Sequence, residues 1–190
     1  MLAVVGLGNP GSEYETTRHN VGFRIVDAAA KHLGIRLTEG TGDYLIGEKN
    51  VARTNVVLVK PLTYMNNSGL AVRDIVERYS LRIDELLIIV DDFNVSFGTL
   101  RLRMRGSDGG HNGLYSIIRH LDSMDFPRLR CGIGHESKVE PDMADFVLSP
   151  FDESELPGLH DMVMRARDAV ICAVTGGYRA ALNCLNIQKV

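Results

Sequence analysis

The sequence lacks most of the features that assign a protein to a class at sight. No apolar run in its 190 residues approaches the roughly 20 needed to span a bilayer, so no membrane-spanning helix is expected. The first residues, MLAVVGLGNPGSEYE, carry no basic start and no small-residue cleavage site. They read as a buried strand, not a secretory signal. Cysteine is scarce: Cys131, Cys172 and Cys184 are odd in number, sit among apolar or small residues, and form no CxxC or Cys/His pair at zinc spacing. Neither a disulfide framework nor a structural zinc is expected, the thiols read as core residues, and a reducing cytoplasm is the natural location. Three catalytic signatures are also missing, the GxSxG elbow, the GxxxxGK[ST] phosphate loop and HExxH. A hydrolase built on this chain has to activate water with a histidine, or with a metal held by scattered His and Asp.

What is present is ordinary for a globular chain: 45% apolar, 24% charged, 21 Lys plus Arg against 24 Asp plus Glu. A chain of this size buries roughly 70% of its unfolded surface and needs no staples, and a single domain over residues 1–190 is expected. Charge is uneven. Residues 100–130 hold six Arg and three Asp, whereas residues 131–161 hold eight acids and one Lys. A net charge of −3 therefore still allows a local basic face.

Strand-like and helix-like stretches alternate, which predicts an α/β domain. Buried strands are expected at Leu2–Leu7, Val56–Val59, Leu86–Val90 and Leu129–Ile133. A hairpin from Tyr44 to Thr54 is expected to turn at Gly47–Asn50, and residues 99–105 (TLRLRMR) alternate as an amphipathic strand. Val21, Ile25, Ala28, Ala29 and Leu33 recur at helical spacing and Gly34 supplies the stop. Ser68 is a candidate cap for a helix through Tyr79, a helix is expected from about Leu114 to Leu121, and a long one over 156–186 should break at Gly176–Gly177.

Five places could carry chemistry. Gly6-Leu-Gly8-Asn-Pro-Gly11 is formally a dinucleotide fingerprint, but Pro10 removes an amide and the helix starts too late, so the glycines are better read as a tight loop displaying Asn9. His19, in Thr17-Arg18-His19-Asn20, lies near a helix start, where the dipole favours a neutral imidazole. Asp91 and Asp92 end a strand, the edge where open α/β sheets bind ligands. Pointing opposite ways, only one of them can face His19. The loop GSDGGHNG leads into a helix, and Lys60–Gly69 brings Tyr64, Met65, Asn66 and Asn67 to the start of another.

Taken together, GLGNPGSEYETTRHNVGF, KPLTYMNNSG and GSDGGHNGL, followed by RLRCGIGH, closely resemble the bacterial-type peptidyl-tRNA hydrolases, and the resemblance runs through FVLSPF to the C-terminal helix. It implies one α/β domain with a mixed, twisted sheet flanked by helices on both faces. It further implies a cytoplasmic monomer without metal or organic cofactor, acting on the 3′ end and acceptor stem of peptidyl-tRNA. The implied reaction is hydrolysis of the ester between the peptide and the 3′-terminal ribose, freeing tRNA from peptidyl-tRNAs that leave stalled ribosomes. By motif position His19 corresponds to the base, Asp91 to its supporting acid and Asn9 to the residue that distinguishes N-blocked from free aminoacyl groups. Tyr14, Tyr64, Asn66 and Asn112 correspond to substrate contacts, with Met65 lining the cleft. The chain departs from the family's common DELDLPPG in reading DDFNVSFG, which leaves Asp92 as a competitor to Asp91. Arg103 and Arg105 (with Arg101), Arg128 and Arg130 are candidates to grip phosphate, and Asp142–Glu155 is a candidate lid. Two other readings stay open. One is a metal-dependent hydrolase using His19, Asp91, Asp92, His111 and His135; the other is a non-catalytic RNA-binding domain.

Overall fold

Alternation along the strands decides the architecture. On β1 (Leu2–Gly6) Leu2 and Val4 enter one core while Ala3 and Val5 enter another. The same split separates Val56 and Leu58 from Val57 and Val59 on β4 (Thr54–Pro61), and Leu87 and Ile89 from Leu86, Ile88 and Val90 on β5 (Leu86–Ser96). Strands apolar on both sides need a layer on each face. Helices α1 (Val21–Leu33) and α5 (Leu156–Ile187) cover the first, and α2 (Ser68–Tyr79) and α3 (Asn112–Leu121) the second. The computed structural model describes residues 1–134 and 143–187.

The remaining strands are β2 (Thr38–Glu39), β3 (Tyr44–Val51), β6 (Leu100–Arg103) and β7 (Arg128–Gly134), and a short helix, α4, spans Met143–Leu148. One seven-stranded sheet results, in the order β2-β3-β4-β1-β5-β7-β6. β1 pairs in parallel with both β4 and β5, and β7 in parallel with β5, while β2–β3, β3–β4 and β6–β7 are antiparallel. The expected mixed sheet with helices on both faces is therefore what forms. The chain leaves β1 through α1 toward β4, then crosses back through α2 to β5 on the other side of β1. That reversal opens a crevice at the carboxyl ends of β1 and β5.

Helix α1 closes on the sheet at Gly22, where an added Cβ would lie 2.5 Å from the Leu7 amide and carbonyl and 2.8 Å from the Ile89 carbonyl. Gly34 ends it in the left-handed conformation (φ 63°) as expected, and α5 breaks at Gly177 (φ 75°). Among the described residues no helix is long and apolar enough to cross a membrane.

Four local expectations need correction. The β3–β4 hairpin turns at Ala52–Arg53 and not at Gly47–Asn50; Gly47 sits mid-strand because a Cβ there would meet the Arg36 carbonyl at 2.5 Å. Ser68 is the first residue of α2 and its hydroxyl donates to the Met65 carbonyl, so it closes the preceding turn without capping the helix. Helix α3 begins at Asn112, capped by His111, which accepts both the Gly113 and Leu114 amides. Strand β5 runs on past Val90 to Ser96, so Asp91 and Asp92 are held by pairing with Cys131 and Gly132 of β7.

The hairpin makes a prediction. Ala52 and Arg53 both hold positive φ (47° and 70°), the geometry that favours Asn-Gly. Relief of left-handed strain, about 1–2 kcal/mol at a non-glycine residue, outweighs the roughly 0.5–1 kcal/mol entropy cost of the new glycine, so Ala52→Asn/Arg53→Gly should be more stable by about 0.5–1 kcal/mol, read as a rise in the urea midpoint at unchanged slope.

Candidate active site

Asp91 is the centre of the site. It is 2% exposed on β5, and its carboxylate meets two imidazoles. Nδ1 of His19 lies 2.9 Å from each carboxylate oxygen, and Nε2 of His111 lies 3.0 Å from Oδ1. The rings themselves are tilted 49° at 4.9 Å between centroids. Burial alone would raise the Asp91 carboxyl, but the charge and hydrogen bonds offered by His19 and His111 outweigh it and hold the group well below the usual carboxylate range.

The backbone sets the tautomers. His111 Nδ1 accepts the Gly113 and Leu114 amides at 3.1 and 3.3 Å, so the neutral ring carries its proton on Nε2 and donates it to Asp91. His19 likewise donates from Nδ1 to Asp91. Its Nε2 lone pair is left without a partner among the described residues, in a side chain 10% exposed. A base needs that nitrogen free.

The two aspartates separate as the strand pleat requires. Asp92 turns to the other face, where its Oδ2 meets Arg130 Nε at 2.9 Å as an ion pair and its Oδ1 accepts the Asn94 amide. Asp91 therefore faces His19 and Asp92 does not.

Around this centre the loop after β1 and the turn before α2 interlock. Asn20 grips the Asn9 backbone from both sides, accepting the Asn9 amide at 2.8 Å and donating to its carbonyl at 3.0 Å. The Asn9 side chain accepts the amide of Met65 at 2.7 Å. That fixes the orientation of its carboxamide and leaves the NH2 end without a partner among the described residues. Met65 is buried, whereas the Asn66 and Asn112 side chains are exposed and have no hydrogen-bond partner among the described residues. Tyr64 holds a positive φ of 59°, is 52% exposed and packs edge-on against Tyr14 at 6.3 Å. A strained, exposed aromatic beside two free carboxamides is the arrangement of a binding surface.

The arginines divide. Arg103 and Arg105 are exposed. Arg128 is 1% exposed, stacks at 4.0 Å over Phe126 and donates to the carbonyls of Gly106, Ser107, Met124 and Phe126. Burial, with the nearby Arg130 charge, pulls its pKa down to about 10. The expected phosphate contact is not open to it, because its donors are spent on carbonyls of the loop that carries His111 and of the segment just before β7. Arg130 is engaged by Asp92. Glu155, at the end of the candidate lid, is likewise not a free acid: it pairs with buried Arg18. Asp142 and His135 lie outside the described residues.

His111 has a role in the sequence only as a metal ligand in the alternative reading, and Asn20 and Arg18, inside the same motifs, have none. A histidine directly before a helix start, in a chain that already offers a His and an Asp, was the available signal for the first. No pattern marked the other two. Cys131 is core as expected, with burial pushing its thiol up. The dinucleotide reading finds no helix in the turn after Gly6, since two 3-10 turns intervene before Val21. His19, Asp91 and His111 could chelate a metal, with ligand atoms all within 4.8 Å; a cation there would replace the protons now shared with Asp91.

The family model described as peptidyl-tRNA hydrolase matches residues 3–190. A curated protein named peptidyl-tRNA hydrolase from Thermoanaerobacter sp. (strain X514) is 44% identical over 98% of this chain and all of its own length. One from Geobacillus thermodenitrificans is 45% identical with the same coverage. The crystal structure of peptidyl-tRNA hydrolase from Acinetobacter baumannii is 36% identical, superposes with a TM-score of 0.91, and is matched over 98% of this chain and 94% of its own.

The depressed Asp91 carboxyl fixes a sign. Its stabilising contribution is complete above its unfolded pKa of about 4 and is lost as pH falls toward the folded value. Asp91→Asn should therefore cost about 1.5–3 kcal/mol near neutrality, and the gap to wild type should close below pH 4 in urea melts. A gap unchanged down to pH 2 would contradict the assignment.

Proposed function

The chain belongs to the peptidyl-tRNA hydrolase family, and from that premise we propose that it hydrolyses the ester joining a peptide to the 3′-terminal ribose of tRNA, with His19 as general base. One observation carries the reading. The Asp91 carboxylate binds His19 Nδ1 and leaves Nε2 free at the carboxyl edge of the sheet. Nε2 takes a proton from water as the water oxygen bonds to the acyl carbon. The tetrahedral intermediate then expels the ribose 3′-oxygen, which receives that proton back from the imidazolium. An ester leaving group needs no covalent nucleophile.

The free carboxamides of Asn66 and Asn112 suit the peptide and the developing oxyanion, because each offers both donor and acceptor. Asn9, held by Met65 and Asn20, offers its NH2 to a carbonyl that a blocked amino group supplies and a free one lacks. Tyr14 and Tyr64 provide aromatic surface for the unpaired 3′ end. The exposed Arg103 and Arg105 meet acceptor-stem phosphates without regard to sequence. With this reading go tRNA as partner, a cytoplasmic location, a monomeric state and one working unit over residues 1–190. The free Nε2 beside a satisfied carboxylate favours turnover over mere RNA binding.

The decisive assay is release of N-acetyl-aminoacyl groups from tRNA in EDTA, with unblocked aminoacyl-tRNA alongside. Wild type should cleave the blocked ester only, and His19→Ala should lose about 10²–10⁴-fold in kcat. Equal activity of the two would remove His19 as the base, and loss of wild-type turnover in EDTA would move the reading to a metal on His19, Asp91 and His111. Asn66→Ala and Asn112→Ala should lower kcat/KM, and silent variants would contradict their roles. KM should rise steeply with salt in wild type and less so in Arg103→Ala/Arg105→Ala; a salt-independent KM would sink the phosphate contact.

A further inference from the structure

Beside the base lies a buried ion pair that the reaction as derived does not use. Arg18 precedes His19 in the 3-10 turn Arg18–Asn20. Its guanidinium donates to both oxygens of Glu155, at 2.9 and 2.6 Å, with the two side chains 4% and 7% exposed. Phe146 and Phe151 enclose it, each ring centroid 4.7 Å from the guanidinium carbon. The backbone is tied as well: the Arg18 amide donates to the Ser149 carbonyl at 3.0 Å and Thr17 bridges to Pro150. Glu155 Oε2 also accepts the Asp152 amide at 2.8 Å, so one carboxylate joins the start of α5 to the turn that carries the base.

We propose that Arg18 and Glu155 are positioning residues for His19, and that residues 146–155 form a strap whose docking sets the base against Asp91. This rests on the reading of His19 as base. Consecutive residues of one short turn cannot move independently, so whatever holds Arg18 holds the His19 backbone. The His19 ring has narrow tolerance, since Nδ1 must reach Asp91 on β5 beside His111 on the α3 cap while Nε2 stays free. Misplacement by about 1 Å is enough to cost on the order of 10²-fold in rate. Undocking the strap would remove Glu155, both rings and the Ser149 carbonyl from Arg18 together, so the docked and undocked arrangements are discrete.

The test compares wild type with Glu155→Gln and Phe146→Leu by steady-state kinetics on N-acetyl-aminoacyl-tRNA. A second readout, independent of turnover, is the downfield proton resonance of the His19 Nδ1–H···Asp91 bond, assigned with a His19→Gln variant. The clamp predicts kcat lower by tenfold or more, KM within twofold, and a shifted or lost resonance. Unchanged kcat with the resonance in place, even at a lower melting temperature, would reduce the pair to a purely structural role. A raised KM at unchanged kcat would make the strap a substrate contact; either result overturns the proposal. Should Glu155→Gln fail to fold, Phe146→Leu, which keeps the ion pair and removes one ring, decides alone. A wild type without turnover would count against the functional reading, while the resonance would still report on the clamp.

Discussion

A carboxylate buried between two imidazoles is the constraint around which the rest of the molecule is arranged. A lone charge in Asp91's position would be expelled or neutralised; two ring N–H donors make it tolerable and depend on it in return. Each donor comes from a different layer. His19 precedes α1 on one face of the sheet, and His111 caps α3 on the other. The triad can therefore assemble only if both layers are docked, which makes the site a reporter of the whole fold.

The close approach of α1 to the sheet at Gly22 brings the turn ahead of it within reach of β5. From the other side Arg128, spent on four carbonyls, holds the loop leading to His111, and the strap around Arg18 holds the turn of His19. Of the polar groups proposed to meet substrate, Asn66 and Asn112 are exposed while Asn9 is buried; Arg18, Asn20 and Arg128, which hold the surrounding turns, are all buried.

Much of this was legible in the sequence because it follows from period and chain order. The two-faced strands, the glycine stop at Gly34 and the break at Gly177 are local consequences of residue type. The opposite orientation of Asp91 and Asp92 follows from the pleat alone, and the family motifs single out His19, Asn9, Asn66 and Asn112 as candidates. What stayed hidden depends on partners distant in the chain. Gly47 looked like a turn because its reason, the Arg36 carbonyl against it, belongs to another segment. Arg128 looked like a phosphate contact because its alternation with Arg130 says nothing of depth. Glu155 looked like a lid acid because its partner lies 137 positions away.

As proposed, Asp91 makes His19 a base by fixing its tautomer. The most direct measurement is single-turnover hydrolysis of N-acetyl-aminoacyl-tRNA by Asp91→Asn at saturating enzyme. A carboxamide that donates to Nδ1 would leave the proton on Nε2, the wrong nitrogen for a base, so the rate should fall by about 10²-fold or more while tRNA binding is retained. A rate within threefold of wild type would contradict the account.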